Sequence, residues 1–334
     1  MKSNKKITRW CIYLFVLGII LLGISLLSLC VGSAAIPVRK IISLLSKASD
    51  SAEYSILFNI RLPRIIMGFA VGGALSISGV ILQGMFRNPL VEPYTLGISG
   101  GAALGVVLSI IAGLSRRLGG ISLPVSGFLG AILVIILVFY LSIRKRVLRI
   151  QGLLLYGVMI SFVSSSLIML LMAISGADEL RGIVFWIMGS LEQPNWLLIK
   201  TAVWVSISGL IIAYFFSLQL NALSLGEEDA RALGINVENT KKVLFLLTSV
   251  LTGMSVSICG IIGFVGLIVP HFIRLLVGND QRILLGASFL CGSSFLILSD
   301  TLARTIIAPT ELPVGVITGI IGGSVFIFAL TKFK

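Results

Sequence analysis

Thirteen carboxylates, 26 lysines and arginines and one histidine are the groups of this 334-residue chain that could carry acid–base, metal or ion-pair chemistry. Their spacing points away from catalysis. No cluster of His, Asp or Glu converges at one level of the chain, and no GxxxxGK[ST] loop is present to cradle a nucleotide. His271 stands beside Pro270 near the end of an apolar run and reads as a satisfied end group rather than a proton relay. Cys11, Cys30, Cys259 and Cys291 lie in apolar segments without CxxC spacing, so they read as packing residues, with no disulfide and no metal implied. The chain is thus expected to have no catalytic residue and to bind no cofactor of its own.

Charge does gather in two places. The segment SLGEEDARALGINVENTKK, Ser224 to Lys242, has Ser224 and Glu227 at capping-box spacing. Glu227, Glu228 and Asp229 fall in the first turn, where the helix dipole favours anions, and Gly234 is a natural stop. Two short helices joined at Gly234 are expected, the second starting at Asn236, with the acids and Arg231 on one face and Ala230 and Leu233 on another. Such an element is either a capped loop or a docking surface for a soluble partner. The second place is Arg61 and Arg64, three apart around Pro63. These either snorkel to lipid headgroups or present cations to an acidic partner. After them, Gln83, Asn88, Pro89 and Pro93 mark an irregular connection, tolerable at membrane depth only if buried in protein or facing water.

The elements that position these groups follow from composition. At 57% hydrophobic and 12% charged residues, with mean hydropathy +1.10, the chain cannot be a soluble globular protein, in which about 25% of residues are charged. Nine long runs lack any Asp, Glu, Lys or Arg: Trp10 to Val38, Ile65 to Phe86, Pro93 to Ser115, Leu118 to Ile143, Ile150 to Ala177, Thr201 to Gly226, Val243 to Ile273, Ile283 to Ser299 and Leu312 to Thr331. A span needs about 20 residues; the seventh run has 31 and contains Gly260, Gly263 and Gly266, where a helix can break and turn back. Ten spans with both termini in the cytoplasm place 16 of the basic residues inside and 10 outside, whereas nine spans would move Arg274, Arg282, Lys332 and Lys334 outward against the positive-inside tendency. The expected architecture is an all-α polytopic membrane protein, one domain over 1–334. Arg39, Lys40, Lys47, Arg61 and Arg64 form an outside exception.

Met1 to Ala35 also has the layout of a signal peptide, with Ser33-Ala34-Ala35 as cleavage site, but its apolar run exceeds the roughly 7–15 residues of a signal core and reads as the first span. The net charge of +13 follows orientation and does not argue for nucleic acid. None of the acids falls mid-run: Asp300 and Glu311 sit at span ends, Asp178 and Glu179 in an outer loop and Glu92 in an inner one. That weighs against an ion-coupled secondary transporter, which keeps an ionisable group at depth, and the scattered acids weigh against a membrane enzyme. Glycines four apart (Gly68 and Gly72, Gly97, Gly101 and Gly105, Gly315, Gly319 and Gly323) suit close helix packing or a dimer seam. The loop from Gly176 to Trp196 carries an apolar stretch too short to span, with Trp186 and Trp196 suited to the interface.

Several segments together resemble the FecCD-type permeases of ABC importers, the family of iron-siderophore, haem and cobalamin uptake systems. They are RLPR (Arg61 to Arg64), SGVILQGMFRNPLVEP (Ser78 to Pro93), LGISGGAALG (Leu96 to Gly105), FWIMGSLEQPNW (Phe185 to Trp196), LGEEDARALGI (Leu225 to Ile235), GFVGLIVPHFIR (Gly263 to Arg274), and SDTLAR with ELPVGVITG near the end. The resemblance implies ten helices and a permease dimer, homomeric or with a paralogue. It also implies two ATPase subunits carrying ATP and Mg, and an extracytoplasmic substrate-binding protein. It makes 224–239 the coupling segment, with Glu227, Glu228, Asp229, Arg231 and Gly234 facing the ATPase, and gives Arg61, Arg64 and Arg304 to docking of the binding protein. Membrane lipid is the remaining partner, and the bacterial cytoplasmic membrane the location. Ferric siderophores are the expected cargo, with haem or cobalamin as alternatives, moved by ATP-driven alternating access. Ser161, Ser164, Ser165, Ser166, Met169 and Met172 line either a pathway or a helix contact. Where relatives have Gly-x-Pro-x-Phe, this chain has Gly322 to Phe326 with Ser324 at the proline position, which puts a kink there in doubt. Gly73 to Gly84 and Gly253 to Gly266 are weakly similar, as inverted halves would be.

Overall fold

The computed structural model describes residues 2–32, 36–37, 39–41, 51–114, 119–144, 147–148, 150–193 and 195–332. Ser33-Ala34-Ala35, Lys47, Pro194 and Lys334 lie outside the described residues. Among the described residues thirteen helices follow one another, apart from a single 3-10 turn at Pro93–Leu96: α1 (Lys2–Cys30), α2 (Ala52–Phe86), α3 (Ile98–Ile111), α4 (Ser122–Ser142), α5 (Ile150–Ile174), α6 (Ala177–Ile187), α7 (Trp196–Phe215), α8 (Ser217–Leu225), α9 (Glu227–Ala232), α10 (Val237–Cys259), α11 (Val265–Val277), α12 (Gln281–Ala303) and α13 (Val314–Lys332). A hairpin of two-residue strands, β1 (Ile143–Arg144) and β2 (Val147–Leu148), joins α4 to α5. Among the described residues, seven helices are long and apolar enough to cross a membrane, and Ile98–Ile111, Val265–Val277 and Val314–Phe328 are shorter apolar helices. The seventh run is divided as its glycines suggested: α10 stops at Cys259, Gly260 takes φ +72, and α11 begins at Val265. At Ser324, α13 continues without interruption.

α2 is the central helix, buried along nearly its whole length, whereas α1, α4, α5 and α7 expose most of theirs. Small residues allow this centre to form. α2 lies on α12 where Gly72 meets Gly292 and Gly68 meets Ile297, and α3 lies on α4 where Gly101 and Gly105 meet Gly130 and Ser126. Without side chains between them the backbones come close enough for dispersion contacts to replace a hydrophobic driving force that lipid does not supply. Gly319, by contrast, meets nothing within 4 Å. The tightest crossing is α2 over α11, where a Cβ on Gly79 would overlap the carbonyl of Gly266.

The connection from Arg87 to Gly97 does not stay at the end of α2. Arg87 turns the chain with φ 51, and Pro93 then reaches the level of Leu75 and Gly266, three turns back inside α2. α3 therefore begins inside the bundle, as α11 does on the other side of the same crossing. Both are short for that reason.

α1 is fixed mainly to α12. Lys6 and Arg282 both pair with Asp280, the N-cap of α12, which accepts from the Arg282 backbone, while the Asn221 amide donates to the same carboxylate. The Arg282 guanidinium holds the Asp280 carboxyl well below the usual carboxylate range; burial opposes this, and Lys6 and Asn221 add to it.

Two predictions follow from this packing. Gly79→Val should fail to give folded protein in the membrane, because overpacking costs about 1–3 kcal/mol even where neighbours yield and here the obstacle is backbone; a wild-type level of monodisperse protein after detergent extraction would contradict it. Asp280→Asn should lower the thermal midpoint at pH 7. A carboxylate whose pKa is depressed by folding contributes stability above its unfolded value and loses it as pH falls through the folded one. The gap between wild type and variant should accordingly be full at pH 7 and narrow below about pH 5, as read by thermal unfolding of the detergent-solubilised chain.

Candidate coupling and docking surfaces

α9 is six residues long, too short to persist alone. Its N-cap is Gly226, at φ 152 and ψ 158, and not Ser224, whose hydroxyl donates to the Leu220 carbonyl at the end of α8. The capping-box expectation fails because Glu227 has a stronger partner. Its carboxylate meets the Lys241 ammonium at 3.2 Å and the Arg231 guanidinium at 3.2 Å, and Glu238 approaches the same two cations at 2.9 and 3.6 Å. Lys241 is only 1% exposed. A buried ammonium is tolerable only when paired, so this four-charge cluster fastens α9 to the first two turns of α10.

The second expected short helix is in fact the start of α10: Gly234, at φ 80, reverses the chain, and the Asn236 side chain accepts from the Asn239 amide to open a 23-residue helix. Glu228, Asp229, Arg231 and Gly234 are exposed. Ala230 and Leu233 do not share a face as expected. Ala230 is buried against the body, while Leu233 stands 65% exposed, matched by Leu225 at 65%. Leu225 just before α9 and Leu233 just after it thus stand exposed beside its acids. Below it, Gln83, Arg87, Leu218, Asn221, Leu233 and Arg274 help line a cavity of about 730 Å³.

At the opposite end of α2, Arg61, Arg64 and Arg304 come together, but none is displayed at the surface. Their exposures are 2%, 5% and 5%. Arg61 donates to the Leu29 carbonyl at 2.5 Å, tying α1 to α2. Arg64 donates to Glu311 at 2.6 Å and Glu192 at 3.2 Å. Arg304, at the end of α12, donates to Asp300 at 3.0 Å and to the Ser28 hydroxyl at 2.9 Å. Each guanidinium is instead held between separate segments of the chain, where leaving it unpaired would cost several kcal/mol. The solvent side of the cluster is acidic, since Glu192 is 71% exposed and Glu311 44%. Lys40, from the same outside group of cations, pairs with Glu53.

Between the two ends lies a polar knot that sequence reasoning missed. Gln83 donates to the carbonyls of Gly266 and Leu267, both at 3.2 Å, and accepts from Arg274 at 2.7 Å. The Tyr94 hydroxyl donates to the Ile262 carbonyl at 2.8 Å and accepts from the Ile262 amide at 3.0 Å. Glu92 accepts from the Phe264 amide at 2.7 Å, and Phe264 has φ 68. A phenylalanine in the left-handed region is strained and persists only where its surroundings fix it. Glu92, expected in an inner loop, is therefore placed at depth against the α10–α11 break. The available signal was EPY, an acid followed by a proline and a tyrosine just before a glycine turn, but nothing local names their partners 168 and 172 residues away.

Among the described residues no group of three or more His, Cys, Asp or Glu could hold a metal ion. What these charged and polar residues assemble is an apolar-and-acidic cap at one end, a buried ionic cluster at the other, and two interrupted helices bonded to each other between them.

The sequence model of the FecCD transport family matches residues 19–332. The chain is 40% identical over 292 residues to the hemin transport system permease protein HmuU of Yersinia pestis, covering 87% of both chains. It is 40% identical over 275 residues to the cobalamin import system permease protein BtuC of Halobacterium salinarum, covering 82% of this chain and 73% of that one. A solved structure of a metal-chelate type ABC transporter in an inward-facing conformation superposes with a TM-score of 0.83 at 33% identity, covering 97% of this chain and 99% of the other. The chain belongs to the FecCD transport family, as an ABC importer permease of that type.

Proposed function

We propose that the chain imports ferric siderophores by ATP-driven alternating access, working with a second permease subunit, two ATPase subunits that hold ATP and Mg, and an extracytoplasmic substrate-binding protein. The observation that carries the coupling part is α9: a helix too short to stand alone, fastened by Lys241 to a span, with Leu225 and Leu233 exposed beside Glu228 and Asp229. Apolar prongs within a charged rim suit insertion into a cleft of a soluble partner. On this reading the end bearing α9 and both termini faces the cytoplasm, and 224–239 is the segment that receives the ATPase movement, through Glu227, Arg231 and Gly234.

Docking at the other end takes a revised form. Arg61 and Arg304 hold helices together, and Arg64 is the member within reach of a partner, whose carboxylates would take the place of Glu192 or Glu311 on it. Such an exchange changes register and steering more than raw affinity.

The relatives do not share one cargo, since the molybdate import system permease protein MolB of Haemophilus influenzae is 36% identical over 329 residues, but several point to one class. Hemin and cobalamin are both bulky metal chelates, and the solved neighbour is described as metal-chelate type. A ferric siderophore belongs to that class, and haem is the second reading, favoured by the 40% identity to HmuU.

The test is radio-iron uptake by iron-starved cells offered a panel of ferric siderophores and haem, with and without this gene. Loss of one siderophore class on deletion is expected; loss of haem uptake alone would move the cargo to the second reading, and no loss would refute both. Leu233→Asp, exposed and outside the ion cluster, should cut uptake at least about tenfold, as removal of a buried interface anchor does. It should also abolish copurification of the ATPase while its membrane level stays at wild type. Retained copurification would overturn the coupling assignment alone.

A further inference from the structure

The first turns of α1 carry basic side chains beyond those needed for packing. Lys5, Arg9 and Tyr13 recur at intervals of four and share one stripe of the helix, with Lys6 and Trp10 beside them. With Leu276 and Val277 from the last turn of α11 they enclose a cavity of about 390 Å³. Lys6 is anchored by Asp280 at 3.0 Å and lies 4.8 Å from the centre of the Trp10 ring, on which Arg282 also rests at 5.2 Å. Asp280 thus serves Lys6 and Arg282 together, and among the described residues no carboxylate lies within ion-pair distance of Lys5 or Arg9. The cavity has a cationic mouth, an aromatic rim and an apolar floor, of which Leu276 is 63% exposed.

These three layers match a lipid. A phosphodiester needs cations at the membrane surface, its glycerol region is met by the amphipathic rings of Trp and Tyr, and its chains need exposed aliphatic groups just below. Below Tyr13, α1 continues along the same stripe with exposed Val16 and Ile20, so the apolar surface extends into the bilayer from the cavity. A free anion would use the cations alone and leave Leu276 and Val277 without a role. We propose that this cavity holds the headgroup of an anionic phospholipid of the adjoining leaflet, with Lys5 and Arg9 on the phosphate and its chains along Leu276 and Val277, sealing α1 to α11. This goes beyond transport and does not depend on the cargo.

The test uses the full chain in nanodiscs of phosphatidylcholine containing graded phosphatidylglycerol. Native mass spectrometry counts lipid retained after delipidation, and thermal unfolding reads protection. Phosphatidylglycerol should be retained in preference to phosphatidylcholine and raise the midpoint of the wild type. Lys5→Gln with Arg9→Gln should weaken retention roughly tenfold or more, the expectation for two basic groups at an anionic surface. Lys5→Arg with Arg9→Lys should restore it, which a folding defect would not. Leu276→Ser should weaken retention with no change of charge, and inorganic phosphate should neither protect nor compete. Equal retention of the two lipids, or by wild type and the glutamine variant, would overturn the site. Protection by inorganic phosphate equal to that of phosphatidylglycerol would assign the cations to a soluble anion and overturn the lipid.

Discussion

Hydrocarbon cannot hydrogen-bond an exposed amide or carbonyl, and this chain places irregular backbone at the depth of hydrocarbon twice. The segment Arg87 to Gly97 and the break Gly260 to Phe264 would each be costly alone. They satisfy one another instead. Tyr94 and Glu92 bond the backbone at Ile262 and Phe264, and Gln83 bonds the first carbonyls of α11. The glycine crossing of α2 over α11 brings the two segments within reach. Interruption and close packing are therefore one condition: without Gly79 and Gly266 the polar groups could not meet, and without those groups the helices could not be interrupted.

Charge is handled by the same logic at both ends of α2. Arg61, Arg64, Arg304 and Lys241 are all buried, and each is tied to another segment of the chain. The difference lies in what remains at the surface. Around Arg64 the exposed remainder is Glu192 and Glu311; around Lys241 it is Arg231, with the flanking leucines and acids of α9. One end presents carboxylates over concealed cations, the other an apolar feature with a charged border.

Much of the fold could be read from residues alone because it is local. Charge-free runs gave the apolar helices, seven of them long enough to cross a membrane and three shorter among the described residues; the three glycines of the seventh run gave its division, and Asn236 and Gly234 gave the start of α10 and the turn before it. The family followed from seven motifs and is supported across residues 19–332. What could not be read was pairing over long separations. A capping box at Ser224 and Glu227 is a sound local pattern, but Lys241, 14 residues on, competes for the carboxylate. Arg64 looked available because Glu192 and Glu311 lie 128 and 247 residues away. Glu92 looked superficial because only tertiary structure carries its loop to the level of Leu75.

α10 joins the two regions that matter most. Its first two turns carry Glu238 and Lys241, locked to α9, and its last residue precedes the break that Tyr94 and Glu92 hold. At 23 residues it is a rod about 35 Å long. Its input is ionic and its output is a hinge. On the proposed coupling, a sideways stroke applied at α9 would be delivered at the far end with little lost to bending, as motion of Ile262 and Phe264 against Glu92 and Tyr94. The gearing between the membrane surface and its interior would then be set by the length of one helix.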